Sequence, residues 1–358
     1  MQMKGFNLIG YATSPLGLGE DLRSFAAMLD HLGIPFSVID LPTESQGQVE
    51  VKWRHLSTRD FDTSIFFMSA GTCVRLLELQ PQLFEAAQRR IGYFLWELPD
   101  VPPEHLPALR AMDQIWCPTR FVQSAFFNAA RKLTLALPLP VLRREGLGRD
   151  FRAELGIPRN AFVSLYLFDL HSTLARKNPQ GVVQAFLRFA QQRPDAHLVL
   201  KVNRWQDLPA KALAWLPRHP GIHLLKETLD TAGLTDLYRS ADCYLSLHRS
   251  EGLGRTLVEA MQHGLQIVST DFSGPADFLT PENALLVRWQ RQDVAPGDYP
   301  NACASWWADP DIGHAAQQLE LALQRSRLGR NQAGIATSAS FEPQALAERY
   351  SKVLQASL

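Results

Sequence analysis

Two glutamates, Glu251 and Glu259, flank a glycine turn in the stretch SEGLGRTLVEAMQHGLQIVST, residues 250–270. The turn glycines, Gly252 and Gly254, lead into RTLVEAMQH, which has apolar residues at helical spacing. A helix that begins at such a turn exposes unpaired N–H groups and the positive end of its dipole, so it can bind a phosphate. Carboxylates beside a phosphate repel it unless they accept hydrogen bonds from hydroxyl groups. The pattern indicates a ligand with both phosphates and hydroxyls, such as a nucleotide sugar.

Within such a site, Glu259 lies one turn into the helix and is expected at the ribose hydroxyls, whereas Glu251 on the turn is expected at the sugar. The alternative interpretation is an acid at a helix start and a second acid in contact with solvent.

A basic pair, Arg176 and Lys177, occurs in LFDLHSTLARKNPQGVVQAF, residues 167–186. A predicted strand ends at Phe168, and a predicted helix begins near Asn178. Two cations at a strand-to-helix turn can neutralise a diphosphate leaving group. An ordinary basic pair on the surface is the alternative.

These stretches, together with EAMQHGLQIVSTDFSGPADFL, resemble the retaining glycosyltransferases of family 4, which have the GT-B fold. The resemblance implies that Glu251 contacts the donor sugar, that Glu259 contacts the ribose, and that the turn Gly252–Leu253–Gly254 approaches sugar and phosphate. It also implies that Lys177 binds the diphosphate. A second basic residue commonly lies five or six positions before that lysine, where this chain has His171. Whether His171 or Arg176 completes the diphosphate site is open.

The N-terminal segment GYATSPLGLGEDLRSF places Gly17 and Gly19 after a predicted strand, and Asp40 ends the next strand. This arrangement is similar to a dinucleotide-binding fingerprint and leaves an NAD-dependent oxidoreductase as an alternative. Against NAD, the third glycine position holds Leu22, and the loop is long for a tight phosphate turn. In the resembling family, a glycine-bearing loop here borders the cleft between donor phosphate and acceptor, which makes Gly19 a candidate for donor binding. A plain loop between strand and helix is the remaining interpretation.

Two further segments are assigned by the resemblance. WELP and DQIWCPTRFV, within residues 93–126, are similar to a subgroup associated with bacterial surface polysaccharides such as lipopolysaccharide. Glu97 is expected either to bind the acceptor and orient its reacting hydroxyl or to cap a loop. In GIHLLKETLDTAGLTDLYRSADCYL, Lys226, Glu227 and Thr228 occupy the place where the base lies in the family; an exposed loop is the alternative.

Composition limits the remaining choices. The chain has 358 residues, 46% hydrophobic and 20% charged, and its formal net charge is zero, so bulk electrostatics do not favour nucleic acid as a partner. Its four cysteines form no CxxC pair, and free thiols in a reducing compartment are expected. The first residues read as a strand rather than a signal peptide, and no apolar run is long enough to span a bilayer. A cytoplasmic location is therefore expected.

Apolar runs alternate with helical patterns from end to end, which predicts an α/β protein. The fold class implied is GT-B, with two Rossmann-like domains whose parallel sheets face a central cleft. We expect an acceptor-binding domain over residues 1–140 and a nucleotide-sugar-binding domain over residues 150–335. The C-terminal helix, residues 341–358, is expected to pack back on the N-terminal domain.

The function implied by the resemblance is transfer of a hexose or deoxyhexose, with retention, from a nucleoside diphosphate sugar to a hydroxyl of a glycan or lipid-linked acceptor. GDP-mannose is slightly favoured through the subgroup alone, and no metal or other cofactor is expected. Two competing functions also fit part of the pattern: a retaining glycosidase that uses Glu251 and Glu259, and a catalytically silent sugar-nucleotide-binding module.

A peripheral membrane contact is a further hypothesis, since Phe121, Val122, Ala125 and Phe126 lie on one face of a predicted helix with basic residues after it. Packing of that face into the core explains the same pattern.

Overall fold

The computed structural model of the protein describes residues 4–14, 17–42, 49, 51, 60–169, 172–203, 213–302 and 304–357. The chain divides into two compact units: residues 1–142 with 340–358, and residues 143–339. His171 and Cys303 lie outside the described residues.

Unit 1 is built on a six-stranded sheet of order β2-β1-β3-β4-β5-β6, in which all neighbours are parallel. Its strands are β1 (Phe6–Gly10), β2 (Phe36–Asp40), β3 (Thr63–Ser69), β4 (Arg89–Leu95), β5 (Gln114–Cys117) and β6 (Thr134–Ala136). Its helices are α1 (Gly17–His31), α2 (Ala70–Leu79), α3 (Gln82–Glu85), α4 (Leu106–Ala111), α5 (Arg120–Ala130) and the C-terminal α13 (Pro343–Ser357). A short 3-10 helix covers Pro103–His105.

The C-terminal helix belongs to the core of unit 1. Leu346, Tyr350 and Leu354 of α13 are buried with Phe25 of α1 in one hydrophobic cluster. The Tyr350 hydroxyl donates a hydrogen bond to the carbonyl of Pro138. The last helix thus completes the unit that the first strand begins.

Unit 2 holds a second six-stranded parallel sheet, of order β12-β11-β10-β7-β8-β9. The strands are β7 (Val163–Asp169), β8 (His197–Asn203), β9 (Ile222–Leu225), β10 (Cys243–Ser246), β11 (Gln266–Thr270) and β12 (Leu285–Val287). The helices are α6 (Phe151–Glu154), α7 (Leu174–Lys177), α8 (Pro179–Ala190), α9 (Thr231–Arg239), α10 (Arg255–Gln262), α11 (Ile312–Leu328) and α12 (Gln332–Ala339). A 3-10 helix covers Gly274–Asp277.

The strands of the two large sheets coincide with mostly apolar runs of the sequence. Helices cover both faces of a parallel sheet, so side chains on both faces of each strand are buried. All five residues of β1 and all four of β10 are buried. Helix starts carry side-chain caps: Thr119 accepts a hydrogen bond from the N–H of Val122, and Asn178 caps α8. The predicted α/β class with two Rossmann-like parallel sheets of GT-B type is confirmed.

The structure also contains a hairpin that the strand pattern does not predict. β13 (Trp289–Asp293) and β14 (Trp306–Pro310) pair antiparallel as a separate two-stranded sheet. The last four residues of β13 are all exposed. A strand with so little burial lacks the apolar run from which the strands of the two large sheets were predicted.

Two local predictions need correction. Gly17 and Gly19 lie in the first turn of α1 rather than in a loop. The predicted membrane-facing stripe of α5 is buried at Val122, Ala125 and Phe126, so the hypothesis that this face meets a membrane is wrong. None of the helices in the described ranges combines the length and the apolar composition needed to cross a bilayer.

The cysteines Cys73, Cys117 and Cys243 are buried free thiols. Burial raises the pKa of Cys73 to about 12, which keeps it protonated and unreactive.

Candidate functional site

The central feature of unit 2 is an ion-pair cluster between two neighbouring strand ends. Glu251 follows β10, and Arg176 and Lys177 follow β7 at the end of α7. β10 and β7 are adjacent and parallel, so both segments leave the sheet at its carboxyl edge, where ligands bind in open α/β sheets. Arg176 Nη1 lies 3.2 Å from Glu251 Oε2, and Lys177 Nζ donates to Glu251 Oε1. The two motifs that the sequence shows separately therefore meet.

The cluster is largely withdrawn from water. The side chains of Arg176, Lys177 and Glu251 are 5%, 16% and 13% exposed. Burial raises the pKa of Glu251, but the attraction of Lys177 and Arg176 outweighs it, and the pKa is lowered to about 2. The carboxylate is thus ionised throughout the physiological range. A carboxylate that two cations hold in its ionised form is poorly suited to the role of the protonated acid in a glycosidase.

Hydrogen bonds to main-chain carbonyl groups join the two segments that carry the cluster. The N–H of Arg249 donates to the carbonyl of Arg176 over 2.8 Å, and Arg176 Nη1 donates to the carbonyl of Ser250 over 3.0 Å. Arg249 Nη1 also donates to the carbonyl of Ala175, at 2.6 Å. The hairpin contributes as well, because the N–H of Ala308 donates to the carbonyl of Arg249. The positions of Arg176 and Glu251 are therefore held relative to each other by one main-chain bond and by two guanidinium groups that donate to main-chain carbonyls.

His248 is a site residue that the sequence did not single out. It is fully buried, its Nδ1 lies 3.0 Å from Ser246 Oγ, and its Nε2 lies 3.4 Å from the carbonyl of Phe272. Burial lowers the pKa of His248 to about 4, although the charge of Glu251 opposes this shift. A neutral imidazole thus links the segment before Glu251 to the segment after β11. One histidine in a turn carries no periodic signal in the sequence.

Ser273 and Gly274 hold the turn of Glu251 from the opposite side. Ser273 Oγ accepts a hydrogen bond from the N–H of Glu251, and the N–H of Gly274 donates to the carbonyl of Glu251, both over 2.9 Å. A Cβ atom on Gly274 would lie 2.1 Å from the carbonyl oxygen of Gly252, so the close approach requires glycine. The sequence Ser273–Gly274–Pro275 is typical of a turn, but the contact of this turn with Glu251 has no signature in the sequence.

The start of α10 matches the predicted anion site in conformation. Gly254, its N-cap, has φ +83°, a left-handed conformation that favours glycine. Gly252 is buried, and Leu253 is half-buried. Glu259, half-buried and one turn into α10, accepts a hydrogen bond from the hydroxyl of Tyr238 at 2.8 Å. The structure thus places Glu251 and Glu259 at the turn and in the following helix, as predicted.

Lys226 and Thr228 lie beyond the end of β9 and are exposed. Between them, Glu227 forms a salt bridge of 3.0 Å with Arg149. β9 is separated from β7 by β8 in the sheet order, so these residues are at the same carboxyl edge but at its end. Their expected contact with a base stays a prediction.

The remaining predicted residues belong to unit 1. Gly19 permits a close backbone approach, since a Cβ there would lie 2.3 Å from the carbonyl oxygen of Ser14. Trp96 and Glu97 follow β4; the indole N–H of Trp96 donates to the carbonyl of Asp100, and Glu97 is half-buried. The functions of Gly19 and Glu97 stay predictions.

Asp40, the predicted ribose-binding acid of the NAD alternative, is engaged within unit 1. Its carboxylate accepts hydrogen bonds from the N–H and the hydroxyl of Thr13, at 3.2 Å and 2.6 Å. Thr13 lies in the loop before α1. The acid therefore stabilises the loop, which is a structural explanation of its position.

Among the described residues, no group of three or more histidine, cysteine or carboxylate side chains is arranged to hold a metal ion. At the carboxyl edge of the unit 2 sheet, the cationic side chains of Arg176 and Lys177 can bind an anion.

The chain is similar to known proteins in part of its sequence and in its fold. Residues 164–303, which include β7, the ion-pair cluster and α10, match the family of glycosyl transferases group 1. No curated protein is similar enough in sequence to match the chain.

Among solved structures, HepE from Anabaena in complex with UDP-glucose is 16% identical, with a TM-score of 0.65, and the match covers 98% of this chain and 99% of HepE. WaaG, a glycosyltransferase involved in lipopolysaccharide biosynthesis, is 16% identical, with a TM-score of 0.61 and coverage of 98% and 99%. The pneumococcal O-GlcNAc transferase GtfA, in complex with UDP and GlcNAc, has a TM-score of 0.57 at 16% identity; 82% of this chain matches 56% of GtfA. At such identities the likeness shows the fold. The chain therefore has the fold of GT-B glycosyltransferases, and its residues 164–303 match the glycosyl transferases group 1 family.

Proposed function

We propose that the protein is a retaining glycosyltransferase that moves a hexose or deoxyhexose from a nucleoside diphosphate sugar to a hydroxyl of a glycan or glycolipid. The observation that carries this proposal is the cluster in which Arg176 and Lys177 hold the ionised Glu251 beside the glycine turn of α10. It combines an anion-binding helix start, two cations and a carboxylate that accepts hydrogen bonds.

The charge balance of the cluster favours a diphosphate. Two cations face one carboxylate, which leaves one positive charge in a largely buried site. Lysine carries three N–H donors and arginine five, so both can bind phosphate oxygens in addition to Glu251. Negative charge on the diphosphate grows as its bond to the anomeric carbon breaks. Arg176 and Lys177 therefore stabilise the transition state more than the ground state.

The anomeric configuration is retained because the acceptor oxygen attacks the same face of the sugar from which the leaving group departs. The acceptor oxygen forms its bond to the anomeric carbon as the carbon–oxygen bond to the diphosphate breaks, and the acceptor proton passes to the departing phosphate oxygen. No carboxylate nucleophile is required. This suits Glu251, whose charge is already engaged by two cations and which accepts hydrogen bonds from the donor sugar instead.

The rest of the site is assigned in the same proposal. Glu259 accepts hydrogen bonds from the ribose, the amides of the turn Gly252–Gly254 approach sugar and phosphate, and Lys226 and Thr228 lie near the base. Arg176 is the second cation of the diphosphate site; His171 lies outside the described residues. In unit 1, the resemblance alone assigns Gly19 to donor binding and Glu97 to the acceptor hydroxyl. The reaction needs no metal ion, since side chains and a helix start meet the diphosphate.

The donor and acceptor classes follow from less specific observations. The subgroup resemblance favours GDP-mannose and surface-polysaccharide synthesis at the cytoplasmic face of a membrane, whereas HepE was solved with UDP-glucose. The test must therefore compare bases as well as sugars.

Thermal shift with UDP, GDP, dTDP and their sugars, each with and without EDTA, identifies the donor through the stabilisation that binding produces. The selected donor is then incubated with glycan acceptors, and the product anomer is assigned by NMR. We expect stabilisation by one nucleoside diphosphate and its sugar, EDTA-insensitive transfer and the donor's anomeric configuration in the product. Stabilisation by NADH alone, or hydrolysis of simple glycosides without a nucleotide, would contradict the proposal.

A further inference from the structure

A buried tyrosine of α9 contacts the acid assigned to the ribose. Tyr238 is 2% exposed, and its hydroxyl donates to Glu259 Oε2 at 2.8 Å. The two residues lie on different helices, α9 and α10, and are separated by 21 positions. The contact therefore depends on where the fold places these two helices.

Aromatic neighbours hold the ring of Tyr238 in place. It stacks on His263, with ring centroids 5.7 Å apart and planes 14° apart, and it packs at 6.1 Å against Tyr244. Tyr244 is fully buried and in turn packs at 6.2 Å against Tyr166, whose hydroxyl donates to the carbonyl of Lys177. These ring contacts hold the side chain in place, and its hydroxyl oxygen lies at a defined point beside α10.

The hydrogen bond has a defined direction. Burial, followed by the negative charge of Glu259, raises the pKa of Tyr238 well above its ordinary value, so the hydroxyl keeps its proton and acts as the donor. An ionised carboxylate offers about four acceptor positions on two oxygens. Occupation of one of them by Tyr238 fixes the rotation of the carboxylate group and leaves capacity to accept from a ligand.

We propose that Tyr238 is a positioning residue of the donor site: its hydroxyl orients the Glu259 carboxylate so that it accepts hydrogen bonds from the vicinal hydroxyls of a ribose. This inference rests on the proposed function. It adds a residue that touches the ligand only through Glu259 and that no sequence pattern identified.

The test measures ribose recognition directly. Calorimetry compares the affinities of a ribonucleoside diphosphate and its 2′,3′-dideoxy counterpart for the wild type, Tyr238→Phe and the matched control Tyr350→Phe. Like Tyr238→Phe, the control removes a buried tyrosine hydroxyl that donates a hydrogen bond. Tyr350 lies in unit 1, however, and its acceptor is the carbonyl of Pro138. We expect Tyr238→Phe to bind the ribonucleotide about 12- to 140-fold more weakly, the range for one hydrogen bond to a charged group, and to bind the dideoxy nucleotide with unchanged affinity. The control should keep the wild-type preference for ribose.

A second readout distinguishes positioning from general damage. Loss of a ribose contact that is equal in ground and transition states raises the donor KM and leaves kcat unchanged. Equal weakening of both nucleotides, or a fall in kcat with an unchanged KM, would show a merely structural role and overturn the inference. Full ribose preference in Tyr238→Phe would overturn it while the proposed function stands. Absence of any nucleoside diphosphate binding in the wild type would instead overturn the proposed function, and this inference with it.

Discussion

The carboxylate of Glu251 lies 3.2 Å from the guanidinium of Arg176, and this contact joins two segments that are distant in the chain at the carboxyl edge of one sheet. The same carboxylate accepts from Lys177. A buried anion held by two cations is stable only if the geometry of all three groups is maintained. The consequences for catalysis, stability and ligand binding can each be measured.

Replacement of Lys177 by alanine should lower kcat by about 10²- to 10³-fold and donor affinity by less than about tenfold. The effect on kcat is larger because negative charge on the diphosphate grows in the transition state. Lys352→Ala, at an exposed position of α13, is the control for loss of a lysine and should leave both constants unchanged. Steady-state kinetics with the selected donor, combined with calorimetry, gives both values. Equal losses in affinity and turnover would assign Lys177 to ground-state binding only.

Gly274→Ala tests the turn without removing any polar group. The added methyl would lie 2.1 Å from the carbonyl oxygen of Gly252, so the backbone beside Glu251 must move. A displacement of about 1 Å at a reacting centre can reduce turnover roughly 100-fold, and we expect a loss of that order in kcat/KM. Gly17→Ala is the matched control, since nothing lies within 4 Å of its added Cβ. Wild-type activity in a correctly folded Gly274→Ala protein would mean that the turn geometry does not matter.

His248 predicts a pH dependence of stability. Its pKa is about 4 in the folded protein, against an ordinary value of 6.5, so the unfolded chain takes up a proton first as the pH falls. The stability from the neutral imidazole is present above pH 6.5 and is lost between pH 6.5 and 4, by about 3 kcal/mol in total.

Urea unfolding followed by tryptophan fluorescence between pH 7.5 and 4 measures this loss. His248→Asn should be less stable at pH 7.5 but should lose less stability on acidification. It keeps the part of the pH dependence that comes from His263, whose pKa is also lowered to about 4. An identical pH dependence in variant and wild type would show that His248 does not titrate in this window.

Part of this molecule follows from its sequence for physical reasons that can be stated. β1 and β10 were predictable because strands buried on both faces are predominantly apolar in sequence, with Asn7 and Ser246 as the polar exceptions here. The glycine turn of Gly254 was predictable because a left-handed residue before a helix favours glycine. In contrast, the strand β13 has one half-buried residue and four exposed ones, and its pairing with β14 depends on contacts outside its own sequence.

The contacts within the site were less accessible to prediction. The resemblance assigned Lys177 and Glu251 to the same ligand, but their ion pair with each other depends on the adjacency of β7 and β10. The bond between Tyr238 and Glu259 depends on where the fold places α9 and α10 and has no periodic signature. Long-range side-chain pairs of this kind become visible only when the order of the strands is known.

The most direct test of the central claim is a crystal structure of the protein with the nucleoside diphosphate selected by thermal shift. The account predicts diphosphate oxygens within hydrogen-bond distance of Lys177 or Arg176 at the start of α10, and ribose hydroxyls at the carboxylate of Glu259. A nucleotide bound at the start of α1, beside Gly17 and Asp40, with the ion-pair cluster of Glu251 unoccupied, would contradict it.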